Sequence, residues 1–452
     1  MCAIFGISGN SEASNITYLG LHALQHRGQE GAGIVSTLGS RNFLFKKLGL
    51  VSEVFSSATL AQLPGTSAIG HTRYSTAGGN AAENLQPIVL RTSLGWIGVV
   101  HNGNLVNAKP LAKKLEQMGS IFQSSADTEV IVHLMARSGE SDLVKALVAS
   151  LKQLEGAYSL LVMDQQYLIA VRDPYGFRPL VLGNLNGKPV FASETTAFDL
   201  IGAKYEREVD PGEMIIVPHD RPAELISQYP FRQYEQKKCV FEHIYFARPD
   251  SVVFGAGVYE TRKALGKRLA QEQPASGMDM VIPVPDSGVY ASIGFSEESG
   301  IPFEMGIIRS HYIGRTFIEP SQSIRNFGVK LKLNPLSGFL RDKKIVVVDD
   351  SLVRGTTSKK LIQHLRESGA KEVHLRISAP PTMHPCFYGI DTPTSKELLA
   401  SRSTIEQMKE LIGADSLGFL SLQGLLETCG SSAGTGFCHA CFSGNYPTDS
   451  LN

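Results

Sequence analysis

The chain lacks an excess of charge of either sign: 43 Lys+Arg stand against 43 Asp+Glu in 452 residues. A general nucleic-acid binder carries a basic surplus, so that class is excluded. The chain also lacks any apolar run near the ~18 residues that a membrane helix needs. Its first residues, Met1-Cys2-Ala3-Ile4-Phe5-Gly6, have neither a basic start nor a cleavable apolar core, which argues against secretion. A cytoplasmic location is expected, with neither membrane nor nucleic acid as partner. Cysteine is scarce too: six in so long a chain are too few for a disulfide scaffold. They are unevenly placed, with Cys2 alone at the start and the other five between Cys239 and Cys441. What is abundant is apolar residues, at 42%, enough for sizeable cores. At roughly 150 residues per domain the length favours two or three domains.

The two halves differ in texture. Up to about residue 217, short β-like runs alternate with glycine, as in Cys2–Ser8, Gly33–Thr37, Ile69–Tyr74, Trp96–Val100, Tyr158–Asp164, Tyr167–Arg172 and Met214–Val217. Helical spacing marks Ile16–Gln25, Ala108–Met118, Thr128–Ala136 and Leu143–Leu154. This clustering predicts an α+β layered domain. Beyond about residue 240, strands alternate with helices. Met280–Val284 is followed by a helix near Val289–Glu298. Ile345–Val348 is followed by a helix near Thr357–Glu367, Gly369 as its stop, and the strand Val373–Ser378. That pattern predicts an α/β domain with a mostly parallel sheet. The join falls near Pro218–Phe231, giving domains 1–230 and 231–452.

The most informative stretch is Ile345-Val346-Val347-Val348-Asp349-Asp350-Ser351-Leu352-Val353-Arg354-Gly355-Thr356-Thr357. A buried strand ends in two carboxylates, then a small, hydroxylated loop opens a helix. Backbone N–H groups and hydroxyls at such a helix start cradle phosphate. The carboxylates suit a ligand that also brings ribose hydroxyls or Mg²⁺. For a bare Asp-Asp after a strand, a solvated acidic turn with Thr356 or Thr357 as helix cap is the simpler reading. The whole block, however, resembles the phosphoribosylpyrophosphate (PRPP) motif of type I phosphoribosyltransferases. The loop Val284-Pro285-Asp286-Ser287-Gly288 would face the same sheet edge. The basic stretch from Ser310 through Arg315, Arg325, Lys330 and Lys332 is long enough to close over pyrophosphate.

Cys2 by itself is easily read as a small hydrophobe. Methionine before a small residue is commonly removed, however, and Cys2 would then carry a thiol beside a free α-amino group. That amine titrates near ~7.7–8.0 and can serve the thiol as base. In order along the chain stand Cys2-Ala3-Ile4-Phe5-Gly6-Ile7, His26-Arg27-Gly28-Gln29-Glu30-Gly31-Ala32-Gly33, His71-Thr72-Arg73-Tyr74-Ser75-Thr76-Ala77-Gly78 and His101-Asn102-Gly103-Asn104. Together these resemble the class II glutamine amidotransferase domain, an N-terminal nucleophile hydrolase of αββα layering. With both halves in series, the chain resembles the amidophosphoribosyltransferase family over nearly its full length.

That resemblance implies roles. Cys2 is the nucleophile toward glutamine, and Asn102 with the Gly103 N–H forms the oxyanion hole. Arg73 clamps the substrate's α-carboxylate, Thr76 in the same motif helps hold the substrate, and Asp127 accepts its α-ammonium, although Asp127 alone would read as a helix cap. His26, His71 and His101 are expected to be structural. Asp349 and Asp350 bind ribose hydroxyls and, with Ser287, lie near Mg²⁺. Ser351, Arg354, Gly355, Thr356 and Thr357 cradle the 5-phosphate.

Cys438-His439-Ala440-Cys441 is a lone C-x-x-C pair, with Cys239 and Cys386 far upstream. Four thiolates suit zinc or an iron–sulfur cluster, and spacing does not choose between them. The contexts around Cys239, Cys386, Cys438 and Cys441 resemble the [4Fe–4S]-ligating segments of the iron–sulfur subgroup. Members of that subgroup often carry a short propeptide. Here only Met1 precedes Cys2, so maturation is expected to need methionine removal alone. Cys429 reads as an ordinary thiol.

The resemblance implies transfer of ammonia from glutamine to PRPP, the first committed step of de novo purine synthesis. It also implies feedback by purine nucleotides and a homotetramer. An aminosugar synthase of class II would instead need a sugar-isomerase domain and no Asp-Asp-Ser loop. A silent nucleotide-binding homologue would have lost Cys2, Asn102 or Asp349, and all are present.

Overall fold

The structure, a computed structural model, describes residues 1–74, 81–310, 333–392, 394–430 and 436–449. Its first half is two stacked antiparallel sheets. One has seven strands in the order Lys204–Glu208, Val181–Leu185, Lys188–Ala192, Ala3–Ser8, Ser67–Arg73, Gly31–Leu38, Arg41–Leu48. The other has six, in the order Ile226–Gln228, Met214–Pro218, Tyr167–Arg172, Gly156–Met163, Gly95–Leu105, Ile88–Thr92.

The period-two pattern of the first strand shows how the layers form. Ala3, Phe5 and Ile7 face outward to the helix Ala13–Ala23 and to Phe198. Ile4 faces inward, packing with Val35 and Ile69 against Trp96, Val100, Leu161 and Met163 of the second sheet. Ile97, Val99, Leu160 and Val162 then cover Val130, Ile131 and Leu134 of the helix Asp127–Arg137 and Ala146 and Leu147 of Leu143–Leu151. Three cores between four layers are the expected αββα sandwich.

The second half is built on four parallel strands in the order Met280–Pro283, Lys344–Asp349, Glu372–Ile377, Ser416–Phe419. Ile345 to Val348 are fully buried, as a central parallel strand requires. Helices Val258–Glu272 and Val289–Ser299 pack on each other, and Thr356–Glu367 packs on Ile405–Ile412. The helix Val258–Glu272 was not apparent in the sequence: its buried face mixes Thr261, Arg262 and Gly266 with Val258, Leu265 and Leu269. Most of the basic stretch, residues 311–332, lies outside the described residues. The strands flanking it, Ile307–Arg309 and Leu333–Pro335, pair antiparallel.

The halves are tied by backbone as well as side chains. Lys237–Cys239 pairs in parallel with Gly436–Cys438, setting Cys239 opposite Cys438. The same segment donates Lys237 N–H to Tyr175 O (2.8 Å) and Cys239 N–H to Phe177 O (3.1 Å).

Candidate active sites

Cys2 sits at the head of the Ala3–Ser8 strand, which registers Ala3 against Thr72 of the Ser67–Arg73 strand. The thiol is buried and lies 3.5 Å from the Tyr74 carbonyl. Arg27 Nε donates to the Cys2 carbonyl at 3.1 Å. Met1 is buried ahead of it, and burial pushes its α-amino group down to about 5. While Met1 remains, the Cys2 nitrogen is a peptide amide and cannot act as a base.

Asn102 and Gly103 lie on the Gly95–Leu105 strand. Asn102 is 1% exposed, yet among the described residues neither Oδ1 nor Nδ2 of its amide has a hydrogen-bond partner. A buried amide without partners costs about 1–3 kcal/mol, so its position calls for a partner that the chain itself does not supply, such as a ligand or water. Gly103 must be glycine, because a Cβ there would stand 2.0 Å from the Ala157 carbonyl oxygen.

Arg73 and Asp127 are brought together by Asn84, which the sequence reading missed. Arg73 Nη1 donates to Asn84 O at 2.9 Å. The Asn84 side chain bonds Ser125 N–H and Oγ, at the turn leading into Asp127. Asp127 accepts Leu105 N–H at 2.9 Å, and its Oδ1 is 3.7 Å from His101 Nδ1. Burial alone would raise the Asp127 carboxyl, but His101 and the N–H donors hold it below the usual carboxylate range. A guanidinium at one end and a fixed carboxylate at the other match an α-amino acid. Thr76 lies outside the described residues.

Of the three histidines, His26 and His101 have protein partners, while neither ring nitrogen of His71 has one among the described residues. His26 Nε2 bonds Glu194 at 2.9 Å, and His101 bonds Thr128 Oγ1 and Ala157 O at 3.1 and 3.2 Å. His71 is fully buried, and burial pushes it well below its ordinary value. None is recorded on the Cys2 thiol, whose partner is Tyr74 O.

Behind Cys2 lies a buried ion network that no local pattern announced. Arg27 bonds Glu194 and also both carboxylate oxygens of Glu242, at 2.8 and 2.9 Å. Arg178 adds a contact to Glu242 at 3.3 Å. Burial would lower the Arg27 guanidinium, but Glu242 and Glu194 raise it instead, and Glu194 is held far down by its cations. Glu242 and the Cys2-binding Arg27 come from opposite halves of the chain, so this pairing fixes the strand that Cys2 heads against the second domain.

In the second domain, Asp349 and Asp350 end the Lys344–Asp349 strand at its carboxyl edge, where open α/β sheets bind ligands. Ser287 hydrogen-bonds Asp349, and Ser351 Oγ donates to Asp350 at 2.6 Å. Enclosure and the Asp350 charge push the Asp349 carboxyl well up. Two carboxyls this close favour a cation or hydroxyl donors between them. Gly355, at φ +74°, caps the helix Thr356–Glu367, so neither threonine is the cap. Thr356 and Thr357 are left exposed at the helix start, with Arg354 beside them.

Cys239, Cys386, Cys438 and Cys441 are free thiols lining one cavity with Phe177, Arg178, Tyr388 and Tyr446. Burial pushes the Cys239 thiol up to about 11, against the pull of Arg178. Among the described residues no three or more Cys, His, Asp or Glu side chains gather tightly enough to hold a single metal ion. The four thiols instead surround a space. Cys429 lies apart, packed at the edge of the core, and burial pushes it up to about 12.

A glutamine amidotransferase domain model matches residues 71–199. Amidophosphoribosyltransferase 1, chloroplastic, of Arabidopsis thaliana is 55% identical over 99% of this chain and 78% of its own length. The amidophosphoribosyltransferase of Bacillus subtilis is 50% identical over 99% of this chain and 94% of its own. A solved B. subtilis glutamine PRPP amidotransferase, complexed with ADP and GMP, superposes with a TM-score of 0.93 at 49% identity, covering 99% of this chain and 98% of that one. Among the described residues no helix is long and apolar enough to cross a membrane. Full-length identity of this order, on a chain that carries both constellations, means that the chain belongs to the amidophosphoribosyltransferase family.

Proposed function

We propose that the residues described above carry the two half-reactions of the family's activity, in which glutamine and PRPP give 5-phosphoribosylamine, glutamate and pyrophosphate. The observation that carries this reading is Asn102: a buried amide without partners among the described residues, on a strand whose next residue can only be glycine. Once Met1 is removed, the Cys2 amine takes the thiol proton and sulfur bonds the glutamine carboxamide carbon. The carbonyl electron pair moves onto oxygen, received by Asn102 Nδ2 and the Gly103 N–H. Collapse breaks the C–N bond, the amine returns the proton to nitrogen, and ammonia leaves. Water then hydrolyses the thioester to glutamate. Arg73, Thr76 and Asp127 hold the substrate's α-carboxylate and α-ammonium.

In the second domain, the ammonia nitrogen bonds C1 of the ribose as the C1–oxygen bond to pyrophosphate breaks, and the nitrogen's extra proton passes to the departing pyrophosphate or to water. Asp349 and Asp350 hold the ribose hydroxyls, and Ser351, Arg354, Gly355, Thr356 and Thr357 cradle the 5-phosphate. The raised Asp349 carboxyl, with Asp350 and Ser287 alongside, fits a Mg²⁺ ion that arrives with PRPP rather than one caged by protein alone. When bound, Mg²⁺ neutralises charge on the leaving pyrophosphate. The boundary near residue 230 separates the two sites.

We also assign the cysteine cavity to a [4Fe–4S] cluster with Cys239, Cys386, Cys438 and Cys441 as ligands. Four thiols around a space, with the Arg178 guanidinium beside them, fit a polynuclear anionic group better than one zinc ion. The cluster would tie together three chain segments, with no electron transfer in the reaction. Free thiols throughout agree with a reducing cytoplasm. Purine-nucleotide inhibition and a homotetramer complete the reading. Protein purified anaerobically is expected to be brown, to contain iron and sulfide, and to release pyrophosphate from Mg²⁺–PRPP only when glutamine or ammonia is added. Colourless, zinc-loaded protein would refute the cluster. Absence of pyrophosphate release would refute the site assignments.

A further inference from the structure

The segment Cys386–Ile390 belongs to the second half of the sequence but lies against the strand that carries Asn102 and Gly103. Asn104 Nδ2 donates to the Phe387 carbonyl at 3.0 Å. The Tyr388 ring stacks on Phe177, with centroids 4.3 Å apart and planes at 14°. Arg178 Nε donates to the Tyr388 carbonyl at 2.8 Å, and the Tyr388 hydroxyl bonds Thr448 Oγ1 at 2.9 Å. So anchored, the segment sets Gly389 directly on Gly103. A Cβ on Gly389 would stand 3.0 Å from the Gly103 carbonyl carbon and 3.1 Å from its Cα and oxygen. Gly389 also holds φ +104°, which an L side chain resists. On its other side Gly103 has no spare room against the Ala157 carbonyl. The Gly103 backbone is thus held between two others, one from each domain.

We propose that Gly389, seated by the Asn104–Phe387 hydrogen bond, is a positioning residue for glutamine hydrolysis: the transferase domain holds the Gly103 N–H where the oxyanion forms. The proposal rests on the reading of Asn102 and Gly103 as the oxyanion hole. Its physical basis is that a glycine has no side chain to anchor its own peptide, while an oxyanion donor must lie within about 2.7–3.1 Å of the developing charge. Backbone contact from a second domain supplies the missing anchor. The same contact makes the glutaminase site depend on how the domains are docked.

The test uses full-length holoenzyme carrying Gly389→Ala, and separately Asn104→Ala, which removes only the hydrogen bond to Phe387. Glutamine-dependent kcat should fall about 10- to 100-fold in Gly389→Ala and about 3- to 10-fold in Asn104→Ala. KM for glutamine should stay within about twofold, because the α-amino acid end is bound elsewhere. Ammonia-dependent turnover should be unchanged. Affinity for an aldehyde analogue of glutamine should fall in step with kcat, because its thiohemiacetal oxygen uses the same donors. Equal losses with glutamine and ammonia would show a merely structural role and overturn the proposal. Asn102→Ala separates the two readings. If it leaves the glutamine rate intact, the oxyanion assignment fails and this proposal with it. If it lowers the rate while both Gly389→Ala and Asn104→Ala leave it intact, only the positioning role is overturned. Should Gly389→Ala fail to fold, Asn104→Ala decides.

Discussion

Cys2→Ala protein is expected to lose glutamine-dependent turnover by at least about 10⁴-fold while still making phosphoribosylamine from ammonia. The size of the loss follows from what is removed. No other thiol lies at this site: the remaining five cysteines are in the second half, and four of them line a separate cavity. The buried Asn102 amide can stabilise an oxyanion only after a nucleophile has bonded the carboxamide carbon. His26 and His101 are engaged by Glu194, Thr128 and Ala157, and burial pushes His71 well below its ordinary value, so it is a poor base. Ammonia-dependent turnover should survive because the proposed PRPP site, at Asp349 and Asp350, stands on a different sheet. Steady-state rates with each nitrogen source measure both halves of the prediction. Loss of both activities would mean that Cys2 holds the domains together instead. The route for such a role would be the Cys2 carbonyl, which is bonded by Arg27, itself bonded to Glu242 of the second domain.

Asp349→Asn should give the opposite pattern: turnover falls about 100-fold or more with both nitrogen sources. In the proposed function the carboxylates hold the ribose and Mg²⁺, which both reactions would share. The same variant should unfold at an equal or higher temperature than the parent. Asp349 is pushed well above its ordinary value by enclosure and by Asp350, so the folded state binds its proton more tightly than the unfolded chain does. For a carboxyl raised in this way, stability is lost as pH rises above the unfolded value and through the folded one. At neutral pH the pair therefore costs stability in the absence of ligand, and the neutral amide relieves that cost. A fall in melting temperature without Mg²⁺–PRPP would show that the pair is structural. A stability cost that ligand relieves is the usual mark of a site kept for function.

Much of this was legible from sequence because the chemistry sits in contiguous runs. The strand that ends in Asp349-Asp350 and the loop into Thr356 form one uninterrupted block, and its boundaries differ from expectation by a residue at most. Cys2, Arg73, Asn102 and Asp127 each lie in a short motif. Illegible were contacts that depend on tertiary approach. Glu242 meets Arg27 across 215 positions, and Asn104 meets Phe387 across 283. Neither pair shares a pattern that periodicity detects. Arg27 stood inside the quoted His26-Arg27-Gly28 run, but its role emerges only once Cys2 and Glu242 are seen around it. Asn84 had no signal, because its backbone carbonyl serves Arg73 while its side chain serves Ser125. Gly389 offered a hint, as a glycine between Tyr388 and Ile390, two buried bulky residues.

The central claim is that one chain passes nitrogen from a Cys2 site to a PRPP site. Glutamine labelled with ¹⁵N at the amide tests it most directly, incubated with Mg²⁺–PRPP and with unlabelled ammonium at a level too low to support turnover. The account predicts ¹⁵N in phosphoribosylamine in equal amount to the pyrophosphate released, and none from Cys2→Ala protein. Glutamate formed without ¹⁵N in the ribosyl product would contradict it.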